Sequence, residues 1–238
     1  MTGSEQKYLL WDFGNTLAKL KRSWSQLALE IVQPDPSQGT QSLEVIQTEF
    51  SKGFPWRKPE QSHTHIQSAD EWWQHLFSPM FRKVLVLLEV HESQFDVLSA
   101  QFRQTCLSPE TWEVYPDVHP TLETLSGLGW THVMVSNHVP ELETLLERLG
   151  LRHHFEQVFT SGIVGFEKPN PKFFEFVLSR LDHAEQMWMI GDNHAHDIVG
   201  AAQFGIPGIL IGKPRDGVRY ACPDLQGVIE IVRGAKAA

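Results

Sequence analysis

The 238-residue sequence predicts an α/β fold: a doubly wound parallel sheet into which an all-helical unit is inserted near the N-terminus. Three observations predict it. Short runs that are apolar on both faces, each closed by Gly, Ser, Asn or Asp, recur as Tyr8-Leu9-Leu10-Trp11, His132-Val133-Met134-Val135, Gln157-Val158-Phe159, Met187-Trp188-Met189-Ile190 and Gly208-Ile209-Leu210-Ile211. Such runs are the mark of strands buried on both sides in a parallel sheet. Helical periodicity fills the gaps between them from about residue 116 onward, whereas residues 18–115 show helical patterns and no convincing strand.

In chain order, the first strand is the run at Tyr8. Helical stretches follow around residues 24–32, 43–50, 69–90 and 94–106, interrupted by a Pro/Gly-rich and then polar loop over residues 53–68. Trp72 and Trp73 suit an amphipathic helix of this insert with one ring in its core, which leaves the other for a substrate. Beyond residue 116, Leu142, Leu145, Leu146 and Leu149 recur at helical spacing and Gly150 stops them. A further helix starts with Asn170 as N-cap and Pro171 in its first position, and turns Phe173, Phe174, Val177 and Leu181 inward. The expected division is therefore residues 1–17 and 116–238 for the sheet domain and 18–115 for the helical one. No internal repeat or low-complexity tract is visible.

Composition narrows the function classes. Hydrophobic residues make up 41% of the chain, enough for a packed core, and 20 basic against 29 acidic residues give a formal charge of −9. That balance offers no broad attraction to nucleic acid or anionic lipid, so a small anionic substrate needs a local positive site. The two cysteines, Cys106 and Cys222, match no metal spacing and read as reduced thiols, which favours the cytoplasm. No targeting or membrane-spanning segment is apparent, since the apolar run from Val84 to Val90 is short and broken by Glu89.

Four elements carry chemistry: Asp12-Phe13-Gly14-Asn15-Thr16-Leu17, Ser136-Asn137, Lys168-Pro169-Asn170-Pro171, and Gly191-Asp192 followed by Asp197. They fall at strand ends, where ligands of open α/β sheets gather. An Asp at the end of a buried strand can attack phosphorus and form an acyl phosphate, and Asp12 is that candidate. A carboxylate and a phosphate repel each other, so a hard cation is needed between them; Mg²⁺ takes oxygen ligands such as Asp12, a backbone carbonyl and Asp192. The Ser136 hydroxyl, the Lys168 ammonium and a loop amide such as that of Asn137 are fixed donors for phosphoryl oxygens.

With these elements in this order, the chain resembles the haloacid dehalogenase-like hydrolase superfamily, in the version with a helical cap inserted after the first strand. The resemblance covers nearly the whole chain. It implies a Rossmann-like core, a Mg²⁺ cofactor, a small phosphorylated substrate enclosed by the cap, and a metal-binding carbonyl from Gly14. It also implies that Asp197 matches the family's second acidic position and orients metal waters. One position departs from the pattern: hydrolytic members usually carry Asp two residues after the nucleophile, as the acid that protonates the leaving group, and here Gly14 stands there. A positioned acid is worth roughly 10² to 10⁴ in rate. His138, His194, His196, the cap or a substrate with a good leaving group could make up the loss.

The expected activity is thus a Mg²⁺-dependent phosphatase working through an aspartyl phosphate. The alternatives are a catalytically weak relative that binds phosphate or a partner, and a 2-haloacid dehalogenase or phosphonate hydrolase. His63 and His65 read as solvent-exposed loop residues, and Arg57, Arg82 and Arg103 are equally eligible substrate contacts.

Overall fold

The computed structural model describes residues 6–33 and 39–234. After β1 (Lys7–Trp11) the chain forms a short strand β2 (Ala18–Leu20), then α1 (Trp24–Val32), α2 (Gly39–Gly53) and a single turn at Pro55–Arg57. Next comes a helical rod in which α3 (Ala69–Trp72) runs through a wide turn at Trp73–Phe77 into α4 (Ser78–Leu87), followed by α5 (Phe95–Cys106). The chain returns through β3 (Trp112–Val114), α6 (Val118–Gly127), β4 (Thr131–Ser136), α7 (Leu142–Arg148), β5 (Phe155–Thr160), α8 (Ser161–Val164) and α9 (Pro171–Leu178). It ends with β6 (Gln186–Gly191), a wide turn at His194–Val199 leading into α10 (Gly200–Ala202), β7 (Gly208–Ile211), β8 (Tyr220–Cys222) and α11 (Leu225–Gly234).

Among the described residues the main sheet has six strands in the order β5-β4-β1-β6-β7-β8, and every neighbouring pair is parallel. The chain winds outward from β1 through β4 to β5, then crosses back to lay β6 against the other side of β1. The carboxyl ends of β1 and β6 therefore flank the point where the winding reverses, which is where an open α/β sheet leaves a crevice for a ligand. Asp12 follows β1 and Asp192 follows β6 directly.

Side-chain alternation along β1 joins the two faces. Leu9 and Trp11 pack with Leu122, Leu125, Leu145 and Val228 from α6, α7 and α11, while Tyr8 and Leu10 pack with Phe173, Phe174, Val177 and Ala201 from α9 and α10. The helices between β2 and β3 bury a third cluster of their own, rich in aromatics such as Phe50, Phe54, Phe77, Phe81 and Phe102. The Phe77 and Phe102 rings stack at 4.6 Å. Burying side chains of this size is worth roughly 1.5–3 kcal/mol each, and Val139, Leu20 and Trp24 join this cluster to the sheet domain.

Local signals set the element ends as expected. Asn170 accepts a hydrogen bond from the Lys172 amide at 3.0 Å and Pro171 opens α9, while Gly150 adopts a left-handed φ of 73° just past α7. The structure departs from the sequence reading at three short strands. Residues 18–115 do contain strand: β2 and β3 pair antiparallel where the chain leaves and re-enters the sheet domain, matching Lys19 to Glu113 and Leu20 to Trp112. The sixth sheet strand, Tyr220–Cys222, is three residues long, too short a run to stand out in the sequence. Such segments are strands because of the neighbour they pair with. Among the described residues, no helix is long and apolar enough to cross a membrane.

Candidate active site

The carboxyl ends of β1, β4 and β6 bring together Asp12, Ser136, Lys168, Asp192 and Asp197. Lys168 sits at the centre with its ammonium buried, and its three N–H groups each have a partner: Asp12 Oδ1 at 2.9 Å, Asp197 Oδ1 at 2.6 Å and the Val135 carbonyl at 2.7 Å. Burial alone would lower the lysine's pKa, but Asp12 and Asp197 together push it above its ordinary value. Asn137 holds the lysine from behind, accepting from the Lys168 amide at 2.7 Å and donating to the Lys168 carbonyl at 2.9 Å.

The two oxygens of Asp12 are used unequally. Oδ1 accepts from the Ser136 hydroxyl at 2.9 Å as well as from Lys168, whereas Oδ2 has only a long contact of 3.4 Å from the Thr16 hydroxyl. Asn15 holds the turn after β1 in a left-handed conformation at φ 59°, and its side chain hydrogen-bonds Asp192. At Gly14 a Cβ would meet nothing within 4 Å.

Asp12, Asp192 and Asp197 have oxygens within 4.8 Å of one another. Burial first, and Asp12 second, push the Asp192 carboxyl up to about 6. Asp197 is also pushed upward, by burial, with Lys168 opposing the shift. Both Asp197 oxygens are engaged within the protein: Oδ1 by Lys168 and Oδ2 by the Asn193 amide at 3.0 Å. Gly191 has no side chain because a Cβ there would lie 2.1 Å from Asp197 Oδ2.

Three carboxylates crowd one ammonium, and their donors are all oxygen, a set that fits a hard divalent cation. Asp12, Asp192 and the Gly14 backbone are positioned on the cleft that such an ion would share with a substrate. The cleft has a volume of about 520 Å³.

Of its far wall, the sequence offered only Arg57, as one of three eligible arginines. Trp24, Trp56 and Arg57 from the helical insert, together with Trp112 from β3, line the same cleft as Asp12. Trp24 lies 6.5 Å from Trp56 and 6.3 Å from Trp112, centre to centre, so the wall is a continuous aromatic surface with one guanidinium beside it. For Trp56 the only signal was Pro55-Trp56-Arg57 in a loop punctuated by Gly53 and Pro59.

Of the three arginines that the sequence left equal, the structure selects Arg57 for the cleft. Arg82 pairs with Asp96, and Arg103 pairs with Asp70 and Glu141. Neither ring of the Trp72-Trp73 pair reaches the cleft: both are buried, and Trp73 donates to Glu141 at 3.0 Å.

Two of the three candidate histidines line the cleft, His138 and His196; His194 does not. His138 packs edge-on against Phe13 at 5.5 Å, and burial lowers it to about 4, so it is neutral near pH 7 and is no cationic acid. Burial also lowers His196. His63, expected in solvent, is buried, with Nε2 3.1 Å from Glu167 Oε1.

Comparison with known proteins bears on this arrangement. Residues 6–205 match a family model described as haloacid dehalogenase-like hydrolase. The chain is 28% identical over 218 residues to haloacid dehalogenase-like hydrolase domain-containing protein 3 of Danio rerio, covering 89% of this chain and 86% of that one. It is 38% identical over 102 residues to the glyceraldehyde 3-phosphate phosphatase of Methanothermobacter thermautotrophicus, covering 42% and 45% of the two chains. Among solved structures, the 2-haloacid dehalogenase of Pseudomonas syringae superposes with a TM-score of 0.66 at 20% identity, over 97% of this chain and 99% of that one. That likeness extends to the fold alone.

Proposed function

The chain belongs to the haloacid dehalogenase-like hydrolases, and from that premise we propose a Mg²⁺-dependent phosphatase that acts on a small phosphorylated metabolite through an aspartyl phosphate at Asp12. The observation that carries the reading is the charge at the meeting of β1 and β6, where Asp12, Asp192 and Asp197 crowd one buried lysine. A dehalogenase attacks carbon and needs no cation, whereas attack on a phosphate dianion does.

Asp12, Asp192 and the Gly14 carbonyl are the proposed ligands of the ion. A Mg²⁺ held by these groups would offset the repulsion between carboxylate and phosphate and polarise the phosphoryl oxygens. Ser136 and Lys168 fix Asp12 through Oδ1, which leaves Oδ2 to form the new bond to phosphorus as the bond to the leaving oxygen breaks. With its three N–H groups held by Asp12, Asp197 and the Val135 carbonyl, Lys168 acts on the transferred group as a fixed positive charge, and the Ser136 hydroxyl turns from Asp12 to donate to a phosphoryl oxygen. Asn137 and Asp197 hold Lys168 in that position. Water then cleaves the aspartyl phosphate, releasing inorganic phosphate and restoring the carboxylate. Trp24, Trp56, Arg57 and Trp112 select the substrate and shed water from the cleft.

Gly14 supplies no proton to the leaving oxygen. The reading therefore favours substrates that depart without one, such as an acyl phosphate or a sugar 1-phosphate. The test is phosphate release from a panel of phosphorylated metabolites and an activated aryl phosphate, with Mg²⁺ and with chelator, by the natural chain and Asp12→Asn. Turnover that needs both metal and Asp12 supports the phosphatase; metal-independent turnover or halide release from 2-haloacids overturns it.

Gly14 also motivates a second reading, a relative that binds phosphate or a partner with little turnover. Because a side chain at position 14 meets open space, Gly14→Asp separates the two. Activity arising only in that variant supports the binding protein.

A further inference from the structure

We infer that His119, His153 and His154 form a binding site for a borderline transition metal of the Zn²⁺ class, distinct from the carboxylate centre. His119 lies in the first turn of α6, and the other two lie in the single turn at Arg152–His154 that leads into edge strand β5. The carboxylates, by contrast, follow the carboxyl ends of central strands β1 and β6.

One ring nitrogen from each of the three histidines lies within 4.8 Å of the other two. The nearest pair, His119 Nδ1 and His154 Nε2, are 2.9 Å apart. Two imidazole nitrogens on one Zn²⁺, each about 2.0–2.1 Å from it, stand about 3–3.5 Å apart. Small side-chain rotations therefore convert the observed cluster into three legs of a tetrahedron. The rings are already gathered, with His153 and His154 centred 4.0 Å apart and His119 5.1 Å from His154.

Among the described residues, no carboxylate or carbonyl hydrogen-bonds any of these rings. Two buried histidines contrast with this: His132 is tied to a carbonyl and His63 to a carboxylate. Neutral imidazole is the form a metal binds, and these rings are left free of the acceptors that would hold a proton on them. Glu123, one helical turn beyond His119, contributes negative charge close to His154.

The donor chemistry separates the two centres. Three imidazoles suit Zn²⁺, Ni²⁺ or Cu²⁺, whereas oxygens alone suit Mg²⁺. A metal here would tie the start of α6 to the entry of β5.

Equilibrium dialysis of the full chain against micromolar Zn²⁺ in millimolar Mg²⁺ tests the site. The natural chain and Asp192→Asn should each retain one equivalent of Zn²⁺, while His119→Ala and His153→Ala lose it. Because His153 is exposed, its replacement leaves the fold intact. With Cu²⁺ as probe, the spin-resonance spectrum of the natural chain should show coupling to imidazole nitrogens that both histidine variants lack. No retained metal in the natural chain, or equal retention in the histidine variants, overturns the assignment, and neither result bears on phosphatase activity.

Discussion

Trp11 donates its indole N–H to His132 Nδ1 at 2.9 Å, joining the central strand β1 to its neighbour β4 through the core. The bond sets the tautomer: Nδ1 accepts, so Nε2 carries the proton and donates to the Leu122 carbonyl at 3.0 Å. A neutral imidazole on β4 thus anchors Trp11, the residue directly before Asp12 on β1. Burial lowers this histidine to about 4.

The first prediction follows from the sign of that shift. In the unfolded chain the imidazole titrates near 6.5 and in the folded chain near 4, so between those values the unfolded state binds the proton and the folded state does not. His132 therefore contributes its full stability above about pH 6.5 and loses it as the pH falls toward 4, by roughly 2–4 kcal/mol in all. His138 acts in the same direction, and Asp192 and Asp197, whose carboxyls are raised, act in the opposite one. In urea unfolding, moving from pH 7 to pH 5 should therefore cost His132→Gln less stability than it costs the natural chain. An unchanged difference in that variant would refute the assignment.

The second prediction concerns Lys168. Removing one partner of a buried ion pair typically costs about 3–5 kcal/mol, because the remaining charge is stranded. Lys168→Met strands Asp12 and Asp197, so at pH 7 without metal it should lower stability by an amount of that order. Neutralising one of the stranded carboxylates should relieve part of the cost, and the double variant Lys168→Met/Asp197→Asn should be more stable than Lys168→Met alone. A double-variant cycle in urea measures the coupling; additive effects would mean that the 2.6 Å contact contributes nothing.

A third prediction rests on Asp192. Its carboxyl titrates at about 6, and a metal requires the ionised form, so binding releases protons at and below that pH. The apparent Mg²⁺ affinity should be level above about pH 7 and fall by about tenfold per pH unit once Asp192 is protonated. Calorimetric titrations of Mg²⁺ across pH 5 to 8 test this. An affinity independent of pH over that range would remove Asp192 from the ligand set.

What the sequence disclosed and what it hid divide along a physical line. Asp12, Ser136 and Asp192 were legible because each closes an apolar strand, and local pattern alone puts such residues at one end of a parallel sheet. Lys168 was legible from the Pro169-Asn170-Pro171 helix start behind it. The partners that turn these residues into a site come from distant sequence: Asn137 bonds Lys168 across 31 positions, and Arg57 lines the same cleft as Asp12 only after the insert folds back over the sheet. His63 sits in a polar loop that resembles a solvated one, and only docking shows that it is buried. The same holds for β2, β3 and β8, whose three residues each carry too little periodicity to register on their own.

The docking of the insert rests on a small set of contacts beside Lys168. Where the loop of the helical insert meets the segment that carries Lys168, the His63 amide donates to the Gly165 carbonyl at 2.8 Å. Asn170 donates to the Pro59 carbonyl at 2.9 Å, and His63 meets Glu167 at 3.1 Å. Gly165 permits the approach, since its φ is 82° and a Cβ there would lie 2.7 Å from Thr64 Cγ2. Glu167 precedes Lys168 directly, so the pair links the insert to the lysine that holds Asp12. Glu167→Ala leaves the buried His63 ring without its acceptor, at a cost of roughly 1–3 kcal/mol, whereas Glu167→Gln keeps a side-chain oxygen in reach and should cost less. If the link also positions Lys168, Glu167→Ala should lower kcat more than it raises KM, and Glu167→Gln should recover most of the loss. Equal effects of the two variants on stability would show that the His63 contact adds nothing beyond the backbone bonds beside it.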